Sequence, residues 1–176
     1  MKYLYFLFFI SITLAGPIQD ASEKYILEQF QMDAKIEIHT LKLEKKIKSK
    51  IQVLSKQKFY RDKLYYWKIS ENDSTIAYAF IDNVIGKSMP ITFMVILGIN
   101  GNIIKTTIIK YREAYGSEIK NLGWLAQFNN RNNQSSYIVD KDIDGISGAT
   151  ISVNSISKGI NKIAILYPLI KNQLNE

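Results

Sequence analysis

The chain has 176 residues, of which 47% are hydrophobic, and a formal net charge of +7. This length suits one globular domain, and the basic balance favours anionic partners without pointing to nucleic acid, since no Arg-rich run or nucleic-acid motif is present. The absence of cysteine excludes disulfides, cysteine-ligated zinc, iron–sulfur clusters and C-x-x-C-H haem attachment, and the single histidine, His39, cannot form a metal site alone.

The N-terminus has the composition of an export signal. Lys2 is followed by fourteen uncharged residues, Tyr3 to Gly16, which end in small side chains. This run is shorter than the ~20 apolar residues that span a bilayer comfortably. We therefore expect residues 1–16 to be a signal peptide, with an uncleaved membrane anchor as the alternative. The protein would then be exported, to the periplasm or the outer face of the cytoplasmic membrane.

Residues 17–70 are predicted to be an N-terminal helical segment. Residues 22–30 and 40–56 both show the periodicity of amphipathic helices. In the second, the apolar residues at three- and four-residue steps are Leu43, Ile47, Ile51 and Leu54. His39 is interpreted as a polar residue near the start of this helix. Neither helix holds a reactive group, so we expect a scaffold that forms one globular unit with residues 71–176.

From Lys63 the periodicity changes to that of β-strands. Four runs rich in β-branched and aromatic residues follow: LYYWKIS, TIAYAFIDNVIG, ITFMVILG and NIIKTTIIKY. Turn-forming residues separate them, and Asn100-Gly101 is a strong hairpin signal. Consecutive strands joined by short turns predict an antiparallel sheet of about four to six strands, flanked by helices, which places the chain in the α+β class.

The last third of the chain is predicted to hold two helices. A turn at Gly116-Ser117 precedes a helical pattern that reaches Phe128, with Gly123 as its weak point. A polar surface loop, NNRNNQSS, and a strand-like run, SYIVDKDI, come next. Residues 153–166 have the apolar spacing of a long C-terminal helix, which Pro168 is expected to end or kink.

The run DGISGATIS leads into the first turn of this C-terminal helix. A helix N-terminus carries unpaired N–H groups and a partial positive charge, which favour a phosphate group. Glycines let the backbone approach a bulky anion closely, and hydroxyls can bind a phosphate or be esterified by one. The glycines are Gly145 and Gly148, and the hydroxyls belong to Ser147, Thr150 and Ser152. Taken alone, these residues fit either a phosphate-binding loop or an ordinary helix start with a hydroxyl N-cap.

Residues 144–150, DGISGAT, resemble the flavinylation motif Asp-x-x-Ser/Thr-Gly-Ala-Thr of the FMN-binding domain family at every constrained position. Members of this family include flavin-bearing components of the sodium-translocating NADH:quinone oxidoreductase and of the related Rnf electron-transport complex. In the family, the final threonine carries FMN through a phosphoester bond, which a separate flavin transferase installs from FAD. The resemblance extends over Tyr78 to Gly159 and implies that Thr150 is the attachment site.

The resemblance also implies roles for the residues around Thr150. Asp144 is expected to orient or deprotonate the threonine hydroxyl, or to help hold a metal during transfer, with an Asx turn as the alternative. Ser147 would hydrogen-bond the phosphate or serve as a turn hydroxyl. Gly148 and Ala149 would keep side chains away from the phosphate.

Further contacts are expected from a turn upstream. Many members of the family have Glu-Thr-Pro-Gly after the last strand, where this chain has Glu113-Ala114-Tyr115-Gly116. The cofactor-binding set implied by the resemblance is completed by Glu113, Tyr115, Gly116, Gly145 and Ser152. Tyr115 and Trp124 are candidates for packing on the isoalloxazine ring, with ordinary core or surface packing as the alternative.

The resemblance thus implies an exported electron-transfer flavoprotein with covalent FMN. It would relay electrons between donor and acceptor proteins, within a membrane redox complex or outside one. Nothing else in the sequence resembles a substrate site, so no catalytic residue is assigned and an electron carrier is favoured over an independent enzyme. The alternatives are a module that binds FMN or another phosphorylated ligand noncovalently, and an exported structural domain whose loop is inert.

Overall fold

A computed structural model describes residues 16–30 and 34–174, so the predicted signal segment lies outside it except for Gly16. The helices are α1 (Pro17–Gln29), α2 (Lys45–Ser55), α3 (Leu122–Leu125) and α4 (Thr150–Ile170), and the strands are β1 (Lys35–Lys42), β2 (Lys63–Glu71), β3 (Ser74–Ile85), β4 (Pro90–Gly98) and β5 (Ile103–Lys110). Across these two described stretches, no helix combines the length and apolarity that crossing a bilayer would require.

The five strands form one antiparallel sheet in the order β1-β2-β3-β4-β5. Strands β2 to β5 correspond to the four predicted runs, and the predicted α+β class with a C-terminal helix after the loop is confirmed. The turns between strands use residues that tolerate left-handed backbone. Asn72 and Asp73 have φ of 48° and 59°, and Gly101 has φ of 85°.

The predicted N-terminal helical segment, residues 17–70, is wrong over residues 35–42, which form β1 and pair with β2 from Lys35↔Ser70 to Lys42↔Lys63. The helix expected from residue 40 begins at Lys45 instead. Pairing with β2 supplies backbone hydrogen bonds to this stretch, and such a tertiary preference overrides local periodicity. His39 consequently lies in mid-strand, stacked on Tyr66 with ring centroids 5.2 Å apart.

Helices cover both faces of the sheet. On one face α2 and α4 bury the larger core, which includes Phe80 and Phe93. Gly159 lets α4 approach closely, because a Cβ there would lie 2.7 Å from Val84 Cγ1. On the other face lies α1, where Glu23 Oε1 accepts a hydrogen bond of 3.1 Å from Trp67 Nε1. The position of α4 on the sheet fixes where its N-terminus, and thus DGISGATIS, is placed.

The helix predicted after Gly116 is broken into short turns, of which α3 is the one α-helical piece among residues 117–128. The break lies at Asn121 rather than at Gly123. Asn121 has an extended ψ of 122°, and its side-chain oxygen accepts hydrogen bonds from the amides of Gly123 and Trp124. An asparagine that caps the next turn therefore ends the preceding one.

Two further expectations for the last third are corrected. The run SYIVDKDI is a loop with a single bridge between Val139 and Ile143. Arg131 satisfies part of its backbone by donating to the carbonyls of Ser136 and Asp142, so no strand ladder is needed. Pro168 lies inside α4, which continues to Ile170. So close to the C-terminus it removes one helical hydrogen bond without ending the helix.

Candidate functional site

Thr150 is the first residue of α4, at the end of the DGISGATIS loop. Ala149 is the N-cap residue and no side chain caps the helix, so the alternative of a hydroxyl N-cap does not form. The first intrahelical bond runs from the Val153 amide to the Ala149 carbonyl, at 2.9 Å. The amides of Thr150, Ile151 and Ser152 therefore have no acceptor within the helix. They give this end of α4 a partial positive charge.

A cleft of about 770 Å³ lies beside this helix start. Three segments line it: residues 87–89 of the β3–β4 turn, residues 112–115 after β5, and residues 148–152. Of the sequence-predicted candidates, the structure brings together Glu113, Tyr115, Gly148, Ala149, Thr150 and Ser152. Gly145 and Ser147 instead line a smaller hollow of about 280 Å³, which Thr150 also borders. Thr150, with its exposed side chain, thus stands between the two.

Glu113 shapes the wall of the cleft. Its Oε1 accepts hydrogen bonds from the amides of Ser88 (2.8 Å) and Met89 (2.9 Å), and its Oε2 accepts one from the Ser88 hydroxyl (3.1 Å). The bonds from the Met89 and Ser88 amides lower the pKa of Glu113. Gly86 makes room for the carboxylate, because a Cβ there would lie 2.6 Å from Oε1. Both oxygens hold the β3–β4 turn, and a flavin contact from Glu113 stays a prediction.

Gly116 and Tyr111 join the turn after β5 to α4. Gly116 has φ of 82°, and a Cβ there would lie 2.9 Å from the Tyr111 hydroxyl and 3.2 Å from Ala149 Cβ. The Tyr111 hydroxyl donates to the Tyr115 carbonyl and lies 3.4 Å from Ser152 Oγ. Sequence reasoning missed Tyr111, since only its position at the end of a predicted strand hinted at the contact. The ring of Tyr115 is 86% exposed and free to meet a ligand.

Trp124 and Gln127 hold Asp144 by its backbone. Trp124 Nε1 donates to the Asp144 carbonyl at 2.8 Å, and the Asp144 amide donates to Gln127 Oε1 at 2.9 Å. The Trp124 ring is 7% exposed and packs edge-to-face on Phe128, with centroids 5.4 Å apart. It therefore belongs to the core, the alternative that the sequence left open, and is not free to stack on a flavin. Nothing in the sequence indicated Gln127.

The Asp144 carboxylate itself points to no partner in the chain. Among residues 16–30 and 34–174, it makes no hydrogen bond or ion pair, so the alternative Asx turn does not form.

The two glycines of the loop, Gly145 and Gly148, have different structural reasons. A Cβ at Gly145 would overlap Asp140 Oδ1, whereas one at Gly148 would meet nothing within 4 Å. Gly148 has φ of 79°, a backbone conformation that favours glycine, and its role in keeping side chains away from the phosphate stays a prediction.

All three segments around the cleft fall within one sequence match. Residues 86–164 match the profile of a family described as the FMN-binding domain. This stretch is therefore similar to FMN-binding domains. The match begins slightly later than the predicted Tyr78 and ends slightly beyond Gly159. It contains the β3–β4 turn, the Glu113 segment and the whole DGISGATIS loop.

The fold agrees with this assignment. The crystal structure of NqrC from Shewanella oneidensis is similar, with a TM-score of 0.58 and 12% sequence identity over 92% of this chain and 96% of that one. At this identity the likeness establishes the fold and no more. A comparison with curated proteins found no match to the sequence.

The cleft beside Thr150 has groups that suit the two ends of a molecule such as FMN. Free amides at the start of α4 and the cations Lys87 and Arg112 suit a phosphate group. The exposed side chains of Met89, Tyr115 and Ile151 suit an apolar ring. Thr150 lies among these groups, where its hydroxyl can meet a phosphate.

Proposed function

We propose that the chain is an electron-transfer flavoprotein that carries FMN as a phosphoester on Thr150. The observation that carries the proposal is the place of Thr150: an exposed hydroxyl at the first position of α4, beside the cleft of an FMN-binding domain. The complete motif from Asp144 to Thr150 supports it. When bound, the flavin supplies the redox chemistry, and the chain supplies its position and electrostatic surroundings.

Attachment makes one bond and breaks one. The Thr150 oxygen bonds to the FMN-side phosphorus of FAD, the bond from that phosphorus to the bridging oxygen breaks, and AMP leaves. The hydroxyl proton passes to a base, for which the unpartnered Asp144 carboxylate is our candidate. The amides of Thr150, Ile151 and Ser152 would then donate hydrogen bonds to the negatively charged oxygens of the phosphoester. The helix dipole also favours a negative charge at this position. A flavin transferase is the partner that this step requires.

A covalent bond suits a protein that works outside the cytoplasm. A reversible site would empty by mass action where free FMN is scarce. The bond replaces that equilibrium with an effective concentration on the order of millimolar or higher. The cleft is open, so a tethered ring could pass electrons to a protein partner. The resemblance to components of membrane redox complexes supports such a complex as the setting, with donor and acceptor proteins still to be identified.

The test is coexpression of the chain with a flavin transferase shown to be active on another acceptor. The wild-type protein should gain the mass of one FMN less water, on the peptide that contains Thr150. Thr150→Ala should abolish labelling and leave stability unchanged, because the side chain is exposed and does not cap the helix. Thr150→Ser should label partially, and Ser147→Ala, the matched control in the same loop, should label fully.

Two outcomes would contradict the covalent assignment. Flavin esterified to the Thr150→Ala protein would move the site to another hydroxyl. Flavin that copurifies with the wild type but leaves on denaturation would favour the second candidate, a noncovalent FMN-binding module. The free amides of α4 and the cations of the cleft could hold a phosphate in that way.

Asp144→Asn should slow labelling by the transferase without removing the Thr150 hydroxyl that accepts the flavin.

We also propose that the protein is exported, with residues 1–16 as its signal. The support is the uncharged stretch Tyr3 to Gly16 behind Lys2. N-terminal sequencing of native protein should find a start near Gly16. A soluble cytoplasmic form that retains Met1 would contradict this.

A further inference from the structure

A second hollow, of about 290 Å³, lies on the face of the sheet that α1 covers in part. Its walls combine apolar side chains with cations. The apolar ones include Ile38, Tyr65 and Ile81, and the cations are Arg61, Lys63 and Arg112. We call it the α1-side hollow. Arg112 also borders the cleft at Thr150, so the two are neighbours.

The cations of the α1-side hollow are not neutralised by neighbouring acids. Asp82 is the one acidic residue that lines it, and its carboxylate is paired with Lys162 of α4 at 2.7 Å. Asp62, which lies between Arg61 and Lys63 in the sequence, is paired with Lys48 at 2.6 Å. In the part of the chain that the structure describes, Arg61, Lys63 and Arg112 form no ion pair. The hollow therefore carries a local excess of positive charge.

Arg112 is fixed in the wall, while the other two cations are exposed. Its Nη1 donates to the Pro90 carbonyl at 2.9 Å and to Thr92 Oγ1 at 3.1 Å, and both acceptors are neutral. These bonds hold the guanidinium in place without cancelling its charge. A fixed cation flanked by exposed ones is an arrangement that binds phosphate groups.

Apolar groups are exposed beside these charges. Ile38 and Tyr65 retain 42% and 38% of their surface, although both line the hollow. Gly16 lies on its rim, and the uncharged sequence Tyr3 to Gly16 joins the described chain at that point. In the uncleaved chain, the uncharged apolar stretch of the N-terminus is therefore connected directly to the edge of a cationic, partly apolar surface.

We propose that the α1-side hollow docks on an acidic phospholipid surface, with a lipid headgroup phosphate bound by Arg61, Lys63 and Arg112. A bilayer surface presents an anionic phosphate and apolar chains within a few ångströms of each other, which matches the mixed lining. Juxtamembrane basic side chains gain affinity from this field, and aromatic residues such as Tyr65 are favoured at the interface. Of the three cations, Arg112 also borders the cleft at Thr150, whereas Arg61 and Lys63 do not, so a test that changes only Arg61 and Lys63 is independent of the flavin.

The test compares binding of the full chain to vesicles of phosphatidylcholine alone and of phosphatidylcholine mixed with phosphatidylglycerol. The stretch Tyr3 to Gly16 binds either lipid where it is retained and contributes nothing once it is cleaved, so in both forms the measured quantity is the ratio of the two association constants. Arg61→Gln/Lys63→Gln should lower this ratio by about thirty-fold at low salt, since each basic residue near an anionic surface contributes roughly a factor of five. The wild-type ratio should also fall as salt rises.

The matched control is Lys45→Gln/Lys46→Gln, which removes two exposed lysines from α2 on the opposite side of the sheet. This variant should keep the wild-type ratio. An equal loss from both pairs would assign the effect to net charge and overturn the proposal. A wild-type ratio close to one would do the same. If Arg61→Gln/Lys63→Gln abolishes binding of inorganic phosphate but leaves the vesicle ratio unchanged, the hollow is a site for free phosphate and the proposal fails.

Fluorescence gives a readout of orientation. The chain has two tryptophans, and Trp67 lines the hollow while Trp124 does not. Lipids brominated on their acyl chains should quench the fluorescence of the vesicle-bound protein mainly through Trp67. Quenching should fall in Trp67→Phe and persist in Trp124→Phe. The opposite pattern would place another surface on the bilayer and overturn the assignment.

Discussion

Replacing Lys162 with methionine should destabilise the fold by about 3–5 kcal/mol, the usual cost of leaving one partner of a buried ion pair alone. Lys162 Nζ lies 2.7 Å from Asp82 Oδ2, and the two side chains are 0% and 7% exposed. Nζ also donates to the Lys58 carbonyl at 2.6 Å and lies 4.3 Å from the centroid of the Phe59 ring. Burial lowers the pKa of Lys162, while Asp82 opposes that shift.

The magnitude follows from what methionine would leave behind. Its side chain fills nearly the space of the lysine stem, so the loss of packing is small. The Asp82 carboxylate would remain buried, with the Asn83 amide, 2.7 Å from Oδ1, as its one hydrogen-bond donor among the described residues. Although Oδ2 lies close to Nζ, it makes no well-directed hydrogen bond, so the pair is held mainly by charge. Removing both charges should therefore recover most of the loss.

Urea unfolding of four proteins measures this coupling: wild type, Lys162→Met, Asp82→Leu and the double variant. In thermal unfolding of the same proteins, a chain of this length should lose about 6–20 °C in Tm in the single variants, and the Tm of the double variant should lie well above either. Lys158→Met, an exposed lysine one turn earlier on α4, should stay within about 0.5 kcal/mol of wild type. Additive losses in the double variant, or a cost below about 1 kcal/mol for Lys162→Met, would refute the reasoning.

Two further predictions concern the wall of the cleft. Hydrogen bonds lower the pKa of Glu113 below its ordinary 4.5. Their contribution to the stability of the fold is therefore complete above pH 4.5 and is lost as pH falls through the pKa of the folded state. The NMR chemical shifts of the Ser88 and Met89 amides should change together as pH falls below 4.5, and they should not titrate in Glu113→Gln. A titration midpoint at or above pH 4.5 in the wild type would contradict this. Gly116→Ala should cost about 1–2 kcal/mol in thermal unfolding, because φ is 82° there, and should slow flavin labelling. Ser117→Ala, at an exposed neighbour without a positive φ, is its control, and an equal loss from both would contradict the argument.

The parts of the fold that the sequence predicts are those that local chemistry decides. Strands β2 to β5 have β-branched and aromatic runs between residues that favour turns, and each pairs with its neighbour in the chain. Strand β1 was missed because its pairing with β2 is a tertiary contact, and the lysine-rich helical pattern that follows overlaps its end. The break at Asn121 depends on a side-chain cap that a run of apolar spacing does not show.

The same division applies to the site. Thr150, Asp144 and the glycines lie within one short motif and could be predicted from it. The groups that hold the motif in place could not, because they are far away in the sequence. Gln127 reaches Asp144 across 17 residues, and the Tyr111 hydroxyl lies near Ser152 across 41. Such contacts are set by how α4 and the turns meet at one end of the sheet.

The strand order has a consequence for when the site can exist. Each strand pairs with the one before it in the chain, so most of the sheet can form from local hairpins with little loop entropy to overcome. The cleft is different, because it joins the β3–β4 turn to the start of α4, the last helix. An amphipathic helix gains most of its stability from the surface on which it packs, so α4 should be fixed only after that sheet is present. Thr150 would therefore enter its cleft late in folding, and the presence of FMN would distinguish chains that have completed this last step.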